Sequence, residues 1–151
     1  MNDPHYIRAQ SGSCGGYCSA RGLAKLGQVM AHRGSFNGMK LMSEKTWDII
    51  HSDPILLEEP DFVNRTFYTT GGLGYGSMKG LENSKNIIEH YCYQDRVGWF
   101  GWFGHGGSGF MWHPELKISL CYTTTDLMGI DFGNWKAANL HKKTVEVVRS
   151  L

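Results

Sequence analysis

Apolar and polar residues alternate most cleanly between positions 116 and 123. Leu116, Ile118, Leu120 and Tyr122 point one way, and Lys117, Ser119, Cys121 and Thr123 point the other. A period of two marks a strand with one buried face. Upstream, Val97 to Phe103 is a dense aromatic run that reads as another strand, leading into His105. Ile87 to Tyr93 is β-prone and follows the turn cluster Glu82-Asn83-Ser84, and Gly71 to Gly76 alternates glycine with larger residues. Connections this short favour antiparallel pairing. The strand that reaches His105 is therefore expected to pair with residues 116–125.

A helical period appears twice before these strands and once after them. Ser19 is placed to cap a helix in which Leu23, Leu26 and Met30 recur, with Ala20, Ala24 and Gly27 as a thin face for close packing. Gly34 is its expected C′ stop. After the turn Ser35-Phe36-Asn37-Gly38, Ser43 caps a second helix with Glu44 in its first turn. Trp47 and Ile50 face inward from that helix, and Pro54 ends it. Asn134 caps a closing helix whose expected buried stripe is Ala137, Leu140, Thr144, Val147, Val148 and Leu151. Residues up to about 17 read as irregular. Residues 51–70 read as a long, partly acidic connection of the kind that often forms a functional rim. The pattern predicts a single α+β unit, an antiparallel sheet flanked by helices with the C-terminal helix lying on the sheet.

Composition narrows the function classes. An apolar share of 41% over 151 residues suits a folded domain with a core. A net charge of +1 gives no electrostatic case for nucleic acid. No apolar run approaches the ~20 residues of a membrane span. The polar start Met1-Asn2-Asp3-Pro4-His5-Tyr6 carries no signal-peptide pattern, so the cytoplasm is the expected compartment and Cys14, Cys18, Cys92 and Cys121 are expected as reduced thiols. Cys14-x-x-x-Cys18 lacks a second close Cys/His pair, so no metal and no cofactor are expected.

The stretch with the most chemistry is Gly101-Trp102-Phe103-Gly104-His105-Gly106-Gly107-Ser108-Gly109. Large aromatics run up to one titratable side chain, and then side chains almost vanish. An imidazole with its unperturbed pKa near ~6.5 can hold or move a proton around neutrality. Bare backbone N–H groups after it are what an oxyanion-binding edge requires. The alternative is a glycine-rich turn beside an aromatic core, with His105 satisfied by a backbone carbonyl. Trp99 to Phe103 reads as core, Tyr75, Tyr91 and Tyr93 as strand-face aromatics, and His113 as a turn residue before Pro114.

Four segments in order carry a resemblance. They are Cys18-Ser19-Ala20-Arg21-Gly22-Leu23-Ala24-Lys25-Leu26, Gly38-Met39-Lys40-Leu41-Met42-Ser43, Gly71-Gly72-Leu73-Gly74-Tyr75-Gly76 and Phe103-Gly104-His105-Gly106-Gly107-Ser108-Gly109. Together, from about residue 11 onward, they resemble the C-terminal half of the serine β-lactamase-related family. That family comprises class C β-lactamases, related esterases and D-amino-acid peptidases within the penicillin-binding-protein superfamily. The resemblance implies a partial β-lactamase/transpeptidase-like fold and acyl-transfer chemistry on an amide, lactam or ester. It places His105 where the family's Lys-Thr-Gly strand has its lysine, followed by Gly106 and Gly107 as substrate-binding backbone, and it makes the Ser108 backbone N–H one oxyanion donor.

The departure from the family is equally specific. No serine here is followed three residues later by lysine; Ser43 and Ser77 have one only two residues on. Tyr17-Cys18-Ser19 fits a loose Tyr-x-Ser spelling, but in the wrong place. The expectation is a truncated product, fragment or short paralogue of such a hydrolase, inactive alone, with a small-molecule or peptide-like substrate if an N-terminal half completes it. The alternative is a non-catalytic ligand-binding or partner-binding module derived from that fold. Exposed sheet surface makes self-association possible.

Overall fold

Ser19 starts the first long helix as its sequence suggests. Its backbone is extended and its Oγ accepts the Gly22 N–H at 3.1 Å. The computed structural model describes residues 4–9, 16–56, 67–69, 72–74, 96–104, 107–125 and 135–151. In chain order these form α1 (Pro4–Arg8), α2 (Ala20–Ala31), β1 (Ser35–Phe36), β2 (Met39–Lys40), α3 (Glu44–His51), β3 (Ile55–Leu56), β4 (Phe67–Thr69), β5 (Gly72–Gly74), β6 (Phe100–Phe103), β7 (Gly109–His113), β8 (Ile118–Tyr122) and α4 (Trp135–Arg149). The β-prone run 87–93, the Asn134 cap, Tyr75, Tyr91, Tyr93, Cys14 and Cys92 lie outside the described residues.

The start of the chain is not irregular throughout, because Pro4–Arg8 is helical, with Pro4 in the first position, where a missing N–H costs nothing. α2 ends one residue differently from expectation. Arg33, not Gly34, takes the left-handed C′ position at φ 56°, and Gly34 follows as C″, its N–H bonded to the Val29 carbonyl at 2.8 Å. Arg33 tolerates the strained backbone because its guanidinium is held elsewhere. It pairs with Glu44 at 2.9 Å and with Asp48, and lies 5.2 Å from the centre of the Trp47 ring. Asn37 and Gly38, at φ 48° and 78°, make the two-residue loop of a β1–β2 hairpin. Ser43 caps α3, its Oγ 3.0 Å from the Thr46 N–H.

Among the described residues the main sheet has six antiparallel strands in the order β3-β4-β5-β6-β7-β8. Two expectations change here. Residues 51–70 contain strands β3 and β4 rather than loop alone. The strand that leads to His105 does not pair with residues 116–125; β7 lies between them, with Trp102 opposite Phe110 and Met111 opposite Leu120. The Pro114–Lys117 turn, with Lys117 at φ 53°, takes Leu116 and Lys117 out of the strand and closes a β7–β8 hairpin.

Alternation along β7 and β8 divides the core into two layers. Phe110 and Trp112 join Met30, Ala31, Met42, Trp47 and Phe100 on the side of α2 and α3. Met111, Ile118, Leu120 and Tyr122 join Trp99, Ala137, Ala138 and Val145 on the side of α4. The more polar face of β8 is not solvated, for it lies under α2. Ser119 Oγ donates to the Ala24 carbonyl at 2.7 Å, and a Cβ on Gly27 would stand 2.6 Å from Ser119 Cβ and 3.0 Å from the Phe110 ring. Leu26 falls outside this contact and is exposed.

The buried stripe of α4 is rotated from the expected one. Ala137, Ala138, His141 and Val145 are buried, whereas Leu140, Val147 and Leu151 are exposed. His141 is the residue that turns the helix, since an apolar-only reading leaves it outside. No helix among the described residues is long and apolar enough to cross a membrane.

Gly27→Ala tests the α2–β8 contact. Helix propensity alone would stabilise the variant by about 1 kcal/mol. Overpacking at 2.6 Å costs roughly 1–3 kcal/mol. The expected outcome in urea unfolding is a net loss of about 1 kcal/mol, and a stabilised variant would show that the contact gives way without cost.

Candidate functional site

Of the glycine-rich stretch, the described residues Gly104, Gly107 and Ser108 lie between β6 and β7. The Gly104 N–H donates to the Ser108 carbonyl at 2.6 Å, and the Gly107 N–H to the Gly104 carbonyl at 3.0 Å. Gly107 is buried at φ 95°. The Ser108 hydroxyl accepts the Thr124 N–H at 3.3 Å, which ties the bend to the chain leaving β8. Of the residues expected to form the site, Gly107 and Ser108 are therefore placed at the mouth of β7. His105 and Gly106 lie outside the described residues. Trp102 and Phe103 contribute their backbones to β6, pairing with Phe110 and Gly109.

The other end of the same hairpin holds a cluster that sequence reasoning did not find. Arg96, His113 and His141 are all buried, and Arg96 has no exposed surface. Trp99 stands edge-on between the two imidazoles, 4.5 Å from His141 and 5.5 Å from His113. His113 closes β7 rather than sitting in a turn. Its Nδ1 accepts the Leu116 N–H at 3.2 Å, while its ring donates to the Val97 carbonyl. Those two bonds specify the neutral Nε2–H tautomer. Gly98 allows the 97–98 turn to close over this ring, since a Cβ there would lie 2.5 Å from Nε2. Burial, outweighing the nearby Glu115 carboxylate, lowers the pKa of His113.

His141 is the more extreme case. Burial first, then the Arg96 and His113 charges, push its pKa down to about 3. An imidazole held neutral at neutral pH is a packing group here and not a ready proton carrier. The only sequence signal for it was the helical spacing 138-141-145-148, which becomes visible once histidine is allowed on the inner face.

On the opposite face, His51 stacks on Trp47 at 3.7 Å and meets the edge of Phe100 at 5.0 Å. Its Nδ1 donates to the Trp47 carbonyl at 2.8 Å, and burial lowers its pKa. A groove of about 280 Å³ lies between α2 and the β1–β2 hairpin, lined by Lys25, Gln28, Val29, Phe36, Asn37 and Met39. Among the described residues no group of three or more His, Cys, Asp and Glu side chains could hold a metal ion.

No protein-family model matches the chain, and no curated protein matches it. The assignment of chemistry therefore rests on the residues themselves.

The pH dependence of stability tests the buried imidazole. His141 binds a proton in the unfolded chain below about pH 6.5 but in the fold only near pH 3. Stability is full above that upper value and falls as pH drops through the window, by up to about 2 kcal/mol at pH 5. His51 and His113 act in the same direction. Unfolding midpoints between pH 7 and pH 5 should fall less steeply in His141→Gln than in the wild type. Equal slopes would assign the effect to other groups.

Proposed function

We propose that this chain is the C-terminal part of a β-lactamase-like serine hydrolase, contributing the acyl-recognition strand rather than the nucleophile. The observation that carries the reading is the 104–108 bend. Gly104, Gly107 and Ser108 stand at the turn end of the β6–β7 hairpin, with Ser108 anchored through Thr124. In this reading His105 steadies a substrate carboxylate or takes part in a proton relay. Gly106 and Gly107 let the substrate backbone approach, and the Ser108 N–H is one oxyanion donor. Such a donor is worth roughly 3 kcal/mol to the transition state. A serine activated by a neighbouring lysine attacks the carbonyl, and water releases the acyl group. These 151 residues contain no Ser-x-x-Lys to make that attack.

The chain alone should therefore hydrolyse neither a chromogenic cephalosporin nor p-nitrophenyl acetate, and should not be labelled by a fluorophosphonate. A labelled serine mapped within these residues would overturn the division of labour. The recognition role is tested separately by amide chemical shifts during titration with benzylpenicillin. Shifts should cluster at residues 104–108 and be lost in His105→Ala; shifts elsewhere, or none, would remove the reading.

A second reading, a non-catalytic module that works through a partner chain, is favoured by a different observation. β8 pairs on one side only among the described residues, and Ile118-Ser119-Leu120-Cys121-Tyr122 carries no charge or proline to discourage another strand. Leu140, Val147 and Leu151 add exposed apolar surface on α4. Sedimentation of the isolated chain should give oligomers. A monomer with one cooperative unfolding transition would count against both the partner-dependent module and the incomplete hydrolase.

A further inference from the structure

Two cysteines on different elements converge where α2 meets the edge strand of the sheet. Cys121 lies two residues beyond Ser119 on β8, and so on the same face. That face is pressed against α2 by Ser119, which bonds Ala24 and crowds Gly27. The direction of the helix follows from its far end. Met30 and Ala31 pack with Trp112, which sits opposite Ser119 in the sheet register. Gly27, one turn nearer the N-terminal end, stands against Phe110 as well as Ser119, and Phe110 is the register partner of Cys121. One strand step of two residues advances about 6.6 Å in that direction. Cys18 is the residue just before the Ser19 cap, and it is exposed.

We propose that Cys18 and Cys121 form a reversible disulfide that staples the segment entering α2 to strand β8. Both are free thiols in this structure. The Cys121 thiol is raised by burial and by the proximity of Cys18, so the two groups sense each other electrostatically. Cys18 precedes the first helical residue, and Gly16, Tyr17 and Cys18 are all exposed. This segment can close to the Cα separation a disulfide requires without breaking a helical hydrogen bond.

The oxidant we name is a small-molecule disulfide such as oxidised glutathione. The exposed Cys18 thiolate attacks one glutathione sulfur, breaking its S–S bond and releasing one reduced glutathione. The Cys121 thiolate then attacks the Cys18 sulfur of that mixed disulfide and releases the second. Two electrons pass from the protein dithiol to the oxidant, and the two thiol protons end on the two glutathione thiols. Half-burial of Cys121 makes it the resolving rather than the first-attacking group. The bond closes a loop of roughly 100 residues, which constrains the unfolded chain far more than the folded one. The inference does not depend on the hydrolase reading.

The test is oxidation of the full chain with oxidised glutathione, followed by alkylation, digestion without reductant and mass spectrometry. The expected result is a Cys18–Cys121 linked peptide and a rise of several degrees in Tm that dithiothreitol reverses. Cys18→Ser, an exposed and conservative change, should abolish both; Cys14→Ser should leave both intact. Glutathione retained on Cys18 with Cys121 alkylated, or Cys14 linked in place of either residue, would overturn the proposal.

Discussion

The close approach of α2 to β8 is the constraint on which the rest of the fold depends. A glycine at position 27 lets the helix sit directly on Ser119, and the hydroxyl bonds a helical carbonyl in return. The half-buried hydroxyl is thereby satisfied rather than left unpaired against the helix. Small residues on the helix and small polar residues on the strand thus make a thin layer. Larger groups collect further along, where Met30, Trp47 and Trp112 fill the space that opens between helix and sheet. Once this face is occupied, the apolar side of β8 has to be covered by α4, and the order of layers follows.

The α4 layer solves a different problem. Its inner face carries histidine, and the sheet presents Trp99 flanked by His113, with Arg96 fully buried nearby. Burial of an imidazole is tolerable only as the neutral form, and the same burial that holds His141 neutral makes the layer sensitive to acid. The aromatic ring between the two imidazoles offers its edge and face without adding a charge. This is a core that packs polar rings as shape, at the cost of a narrower pH range.

Legibility of the sequence follows the strength of each local rule. Ser19 and Ser43 were readable as caps because one side-chain oxygen and one backbone N–H decide the matter within four residues. The alternation of β8 was readable for the same reason of locality, and so was the α+β class. What failed depended on partners distant in sequence. β7 was hidden because its glycine and aromatic residues resembled the bend before it, and only the pairing with β8 separates them. The inner stripe of α4 departs from the apolar pattern because buried His141 belongs to it. The αL position of Arg33 was invisible because its compensation comes from Glu44 and Asp48 on the next helix. The bond between Thr124 and Ser108 was not legible in the sequence, since it joins residues 16 apart.

The β6–β7 hairpin joins two ends of opposite character. At the end of Phe100 and Trp112, bulky rings and the His113 bracket over Gly98 restrict motion on both faces. At the other end Gly107 and Gly109 are buried, and Gly104 and Ser108 are half-buried and bonded to each other through the backbone. The hairpin is packed at one end by Phe100 and Trp112 and tied at the other through the Thr124–Ser108 bond. The aromatic residues before 104 and the glycines after it thus set different packing at the two ends of one hairpin.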